Sequence, residues 1–169
     1  MHDMFLKLAK KYIYVAQIPV ITRSIYLQSS YYHYKIMNGV KRINIDTGTK
    51  WETIVGYSRA VRIGAHVYVS GTTATDGEGN IIGHCNPYLQ TVKAIRNIET
   101  ALQRAGAALH DVVRTRIYIT NIDYWQEVGK AHAEFFQKIR PASTMVQVSH
   151  LISEVLVEIE ADAFIIDLE

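Results

Sequence analysis

Cysteine is almost missing from this sequence. Cys85 stands alone among 169 residues, so no internal disulfide can form, and no Cys/His cluster at finger-type spacing suggests a structural zinc. That usage fits a reducing compartment, and a cytoplasmic protein is the expectation. No run of about eighteen apolar residues occurs, which argues against a membrane-spanning helix. A phosphate-cradling glycine loop is absent as well; the glycine-rich DGEGN at 76–80 is turn chemistry. An excess of one charge is also missing from most of the chain. Residues 37–169 carry thirteen basic and fifteen acidic side chains, whereas residues 1–36 carry five basic and one acidic. The basic pI therefore belongs to the front of the chain. A slightly acidic body is poor material for gripping a phosphate backbone, so nucleic acid is not an expected partner.

The front differs in content as well as charge. Residues 1–36 hold six of the eleven tyrosines and no glycine, with no sustained periodicity. They read as an N-terminal extension, dispensable or arising from a mis-assigned start with the true one at Met37. A targeting segment and an ordered embellishment remain the alternatives. The main domain is expected over 37–169.

In that domain, Val61, Ile63, Ala65, Val67 and Val69 alternate with Arg62, Gly64, His66, Tyr68 and Ser70, the period of a half-buried strand. The 76–80 turn leads to a short strand at Ile81 and Ile82. Asn86-Pro87 reads as the start of a helix with Leu89, Val92, Ile95, Ile98 and Leu102 on its buried stripe and Gly106 as its stop. A strand over 112–120 follows, with Val113, Thr115, Ile117 and Ile119 on one face and Arg114, Arg116 and Tyr118 on the other. A second helix, N-capped by Asp123, buries Trp125, Val128, His132, Phe135, Phe136 and Ile139 and exits at Pro141. Two strands close the chain, RPASTMVQV at 140–148 and VEIEADAFII at 157–166.

This order implies an α+β two-layer sandwich, one mixed sheet with two helices on one face. The other face would show Ser143, Met145 and Gln147 beside Glu158, Glu160 and Asp162, with Tyr68 and Tyr118 nearby. Such a mixture is too apolar for open solvent and too polar for a core, and it suits contact with another subunit.

The ordered set GYSRAV (56–61), VYVSG (67–71), Gln90 with Asn97-Ile98, AGA (105–107), DVVRTRIYI (111–119), RPAS (140–143) and VEIEADA (157–163) resembles the Rid, or YjgF-like, family of reactive-intermediate deaminases. The resemblance implies a chorismate-mutase-like fold and a homotrimer with small-molecule pockets in the clefts between subunits. It implies hydrolysis of 2-imino or enamino acids to keto acids and ammonia, with no metal or organic cofactor. In that family an arginine after Arg-Pro-Ala grips the substrate carboxylate, and a glutamate in the last strand positions water. A guanidinium fork binds a carboxylate bidentately, which makes the scheme physically sound.

Carried onto this chain, the catalytic glutamate is Glu158, the pocket aromatic is Tyr57, and the pocket backbone is Ser70-Gly71. The arginine is replaced by Ser143, followed by Thr144; both hydroxyls are expected to touch ligand, and Arg59 is the candidate for a displaced cation. A hydroxyl cannot replace a bidentate charged contact, so a diverged substrate is expected. A non-catalytic ligand-binding or regulatory trimer is the alternative from a different class. RNA cleavage is disfavoured by the acidic body.

Overall fold

The computed structural model describes residues 40–166; the reading of 1–36 falls outside them. Among the described residues six strands and three α-helices follow one another as β1 (Arg42–Ile45), α1 (Lys50–Val55), β2 (Ala60–Ile63), β3 (His66–Thr73), α2 (Pro87–Arg104), β4 (Val112–Ile119), α3 (Trp125–Phe136), β5 (Ala142–Gln147) and β6 (Val157–Phe164). The strands form one sheet in the order β1-β2-β3-β6-β4-β5. Only β4 and β5 run parallel, and α3 supplies the crossover that a parallel pair requires. This is the mixed-sheet α+β architecture expected from the sequence, with one additional short helix.

The core lies between the sheet and the two long helices. Val67, Val69, Ile117, Ile119, Val157, Ile159 and Ala161 meet Ile95, Ile98, Leu102, Val128 and Phe136, all buried. Helix α2 begins as expected: Asn86 Oδ1 accepts from Leu89 N–H at 2.9 Å and Pro87 occupies the first turn. Its buried stripe is rotated from the expected one. Leu89 is 46% exposed, whereas Gln90 and Thr91 are fully buried. Burial of these polar groups is compensated by hydrogen bonds. Gln90 accepts from Leu156 N–H at 2.7 Å and donates to Gly83 O at 3.2 Å, and the Thr91 hydroxyl donates to Pro87 O. The helix ends where Gly106 takes φ +75°, a left-handed stop that a side chain would oppose, since a Cβ there would lie 2.6 Å from Arg62 Nη1.

Four other expectations are corrected. Asp123 does not cap α3: its own N–H is capped by Asn121 Oδ1, and a 3-10 turn over Ile122–Tyr124 leads into the helix. Trp125 is 55% exposed because it sits on the first turn, beyond the edge of the sheet contact. Ile81 forms only an isolated bridge to Thr75 beyond the Asp76 turn. Val113 is displaced by a bulge in β4 between Val112 and Arg114, which turns it outward at 50% exposure.

The most consequential correction concerns β5. Neighbouring partners in a sheet share a face, and Ser143, Met145 and Gln147 pair with Thr115, Ile117 and Ile119, which point into the core. Glu158, Glu160 and Asp162 pair with Tyr118, Arg116 and Arg114 on the opposite face. Ser143 therefore lies on the helix side of the sheet, and it is Thr144 that shares a face with the acids. The outer face carries exposed Tyr68, Val146 and Phe164 around Arg116, which reaches Glu160 at 3.3 Å and Asp162 at 3.1 Å.

Candidate functional site

The strand β3 alternates regularly until Val69, opposite Ala161, and resumes with Thr72 opposite Ile159. Three steps on β3 match two on β6, so one extra residue bulges out at Ser70-Gly71. The bulge creates a notch over β6, and the Glu158 side chain fills it. A Cβ on Gly71 would fall 1.9 Å from Glu158 Oε1. Glycine is thus required for the carboxylate to lie where it does. Replacing Gly71 with alanine is expected to leave the melting temperature within a few degrees, because only the end of a flexible side chain must move. It should still displace the carboxylate, and a crystal structure of the variant would show Glu158 in another rotamer.

Arg59, immediately before β2 and beside the notch, fixes its rim. Its Nη1 donates to Gly71 O at 2.8 Å and to Thr72 Oγ1 at 3.2 Å, and its Nη2 donates to Tyr57 OH at 2.9 Å. The guanidinium also lies over the Tyr57 ring, 5.4 Å from the centroid. Ser70 Oγ donates to Ser58 O at 2.8 Å and ties the bulge to the β2 entry. Tyr57, Arg59, Ser70, Gly71 and Glu158 thus converge within a single chain.

Beneath this rim lies Glu52, which sequence reasoning missed together with all of α1. Its carboxylate accepts from Thr47 Oγ1 at 2.6 Å, from Thr47 N–H and from Gly48 N–H, and it stands 3.9 Å from Arg59 Nε. A signal existed: Thr49-Lys50-Trp51-Glu52 before Gly56 has the T-x-x-E start and glycine stop of a short helix. Burial alone would raise the Glu52 carboxyl, but the Thr47 and Gly48 hydrogen bonds and the Arg59 charge outweigh it and hold it below its ordinary value of 4.5. A carboxyl depressed by folding stabilises the fold above its unfolded pKa, and that contribution is lost as pH falls through the depressed value. Glu52→Gln should therefore melt below wild type at pH 7. The gap should close on acidification through and below 4.5, as followed by thermal melts across pH.

Glu158 shows the opposite balance. Burial in the notch pushes its carboxyl above the ordinary value, Glu160 adds like-charge repulsion, and Arg59 offsets part of both. Among the described residues no donor bonds its oxygens. The result is a poorly solvated carboxylate with free lone pairs beside a fixed cation, the form a general base takes.

Ser143 and Thr144 lie elsewhere, on the edge strand β5 and on opposite faces of it. Ser143 belongs to a separate chain of hydrogen bonds: Thr115 donates to Ser143 Oγ at 2.9 Å, and Thr115 Oγ1 is 3.1 Å from His132 Nε2. A cleft of about 460 Å³ opens along α1, lined by Arg42, Asn44, Asp46 and Lys50 and sharing Glu52 and Tyr57 with the rim.

A family model described as Endoribonuclease L-PSP matches residues 47–165, most of the chain. The chain belongs to this family, the YjgF/Rid family. A Mycobacterium tuberculosis member of the YjgF/YER057c/UK114 family is 51% identical, with a TM-score of 0.68 over 74% of this chain and 100% of its own. A RutC family protein of Pyrococcus abyssi is 34% identical over 64% of this chain and 85% of its own length. E. coli TdcF, solved with bound serine, is 25% identical with a TM-score of 0.60 and coverage of 64% and 87%. The Rid/YjgF fold thus accounts for the mixed sheet. Among the described residues no helix is long and apolar enough to cross a membrane.

Proposed function

We propose that this Rid/YjgF protein works in the cytoplasm as a homotrimer whose inter-subunit clefts hydrolyse a small imine or enamine to a carbonyl compound and ammonia. The observation that carries the reading is the Glu158 carboxylate, held in the Gly71 notch with free lone pairs beside Arg59. In the proposed step Glu158 takes a proton from water as the oxygen bonds to the imine carbon. The C=N pair moves to nitrogen, which takes that proton back from Glu158; the carbon–nitrogen bond then breaks as the hydroxyl proton passes through Glu158 to the nitrogen, leaving the carbonyl compound and ammonia. Tyr57, Ser70 and Gly71 would line the ligand, with Arg59 supplying positive charge. A second copy would cover the Tyr68, Val146 and Phe164 face and bring its own Ser143 or Thr144 to the cleft. Serine bound to E. coli TdcF supports an amino-acid-sized ligand.

Arg116, neutralised by Glu160 and Asp162, offers little to a phosphate backbone, which argues against RNA as substrate.

The test is keto-acid release from freshly generated 2-iminobutyrate, measured beside the molecular mass in solution. Activity in wild type, or its appearance in Ser143→Arg, supports the reading. A protein that stays inactive in both while binding small metabolites equally well as Glu158→Gln would be a binding trimer instead.

A further inference from the structure

Most buried threonines satisfy their hydroxyls locally, as Thr91 does by donating to Pro87 O one turn back. Thr115 does not. It lies 1% exposed in the middle of β4 and joins two groups that belong to other elements. One is His132 on α3, whose ring packs against Phe136 with centroids 4.6 Å apart; the other is Ser143 on the edge strand β5, open to solvent. Three polar side chains from three elements thus run in a line from the helix layer to the surface, with contacts of 3.1 and 2.9 Å. Valine and alanine would fill the same space without the desolvation cost of burying a hydroxyl and an imidazole. Burial also lowers the His132 pKa, so the ring is neutral and has a lone pair to offer.

We propose that Ser143, Thr115 and His132 form a proton relay that makes Ser143 a nucleophile toward small uncharged acyl esters. In the resting arrangement Thr115 donates to Ser143. A hydroxyl donates one proton and can rotate, and imidazole has two tautomers, so the chain can reverse: Ser143 donates to Thr115, and Thr115 to His132 Nε2. When Ser143 Oγ bonds to the acyl carbon, its proton passes to Thr115 as the Thr115 proton passes to His132. The bond to the leaving alcohol breaks as its oxygen takes a proton from the Thr115 hydroxyl, which His132 replenishes, because the acylated Ser143 Oγ has no proton to pass on. Water then gives a proton to Thr115, and Thr115 passes its own to His132, as the water oxygen bonds to the acyl carbon. The acyl–Oγ bond breaks, the carboxylic acid leaves, and Ser143 Oγ takes its proton back from Thr115. The backbone gives a complementary feature. Val148 N–H bonds Ile119 O at 2.9 Å, and alternation along a parallel strand turns the N–H groups of Ser143 and Met145 to the open edge. Such outward donors suit the oxygen that becomes negative during attack.

Two features set the entry of this strand. Arg140, immediately before Pro141, takes φ +56°, a conformation a non-glycine residue adopts only when its surroundings impose it. The chain is thereby turned sharply from α3 into β5, and Ser143 is brought opposite Thr115.

The experiment is covalent labelling with a small uncharged fluorophosphonate, read by intact mass and peptide mapping. Ser143 Oγ would bond to phosphorus, fluoride would leave, and the proton would end on His132. Wild type should take one adduct, mapped to Ser143, and Ser143→Ala should take none there. Thr115→Val keeps the side-chain shape but cuts the relay, and should slow labelling by about a hundredfold, the scale of general-base assistance. Thr115→Ser should restore most of the rate. Thermal melting checks that each variant is folded. Absence of a Ser143 adduct in wild type, or equal labelling rates in wild type and Thr115→Val, overturns the proposal. The readout needs no imine, so it stands apart from the reading of Glu158.

Discussion

Glu158→Gln is expected to abolish the imine hydrolysis proposed above and, at the same time, to make the protein harder to melt. The amide keeps the shape that fills the Gly71 notch but cannot take a proton from water. Loss of the general base should lower kcat by about a hundredfold to ten-thousandfold. The stability effect has the opposite sign for a reason visible in the same geometry. A carboxyl whose pKa is raised by folding is penalised whenever it is ionised, so its cost appears as pH rises through the raised value. The neutral amide escapes that cost and the repulsion from Glu160. The expected rise at pH 7 is about 2–4 °C, shrinking as pH is lowered and the wild-type carboxyl becomes protonated. Calorimetry beside the keto-acid assay measures both. A variant that loses activity and stability together would identify Glu158 as a structural prop.

Arg59→Ala should give the largest structural loss. The guanidinium, with its side chain 15% exposed, joins three segments: β3 at Gly71 O and Thr72, the Tyr57 ring and hydroxyl, and Glu52 of α1 beneath. Truncation leaves the Glu52 charge buried with its cation gone and leaves a carbonyl unpaired. Removing one partner from such a cluster costs about 3 kcal/mol, or about 10 °C in a domain of this size. Arg59→Lys keeps the charge but cannot fork toward Gly71 O and Tyr57 OH together, and should recover only part of the loss. Differential scanning calorimetry orders the three proteins. Equal melting temperatures would show that the rim holds without the arginine.

What could be read from the sequence follows from what leaves a period behind. The single strand expected over 61–69 is corrected: the chain turns at Gly64-Ala65 into a hairpin of β2 and β3, so only Val67 and Val69 keep the buried parity while Ile63 is exposed. The alternation of 157–165 survives because the faces of β6 differ in burial, and α2 announces itself through Asn86-Pro87 and its spacing. Helix α1 runs only from Lys50 to Val55, too short for its periodicity to separate from strand alternation, so only its Thr49-x-x-Glu52 start and Gly56 stop could have betrayed it. Strand β5 was assigned to the wrong face because it is an edge. Its residues are exposed or half-buried on both sides, and parity carries no hydrophobic signal. Bulges are silent for another reason. Val113 is as apolar as the buried Val112 before it, so the inserted residue that turns it outward leaves no mark in composition. At the candidate site, Tyr57, Arg59, Ser70, Gly71 and Glu158 come together as five positions from three stretches of chain. Ser143 and Thr144, adjacent in sequence, are sent to opposite faces.

The Ser70-Gly71 bulge also means that the site is written partly in the spacing of the chain. Deleting one of these residues would restore regular pairing between β3 and β6 while leaving every side chain that touches the carboxylate available. The notch would close, and Glu158 would meet an ordinary pleat. For a relative of this protein, a one-residue gap at this point therefore says more about the loss of the carboxylate seat than a substitution at any position around it.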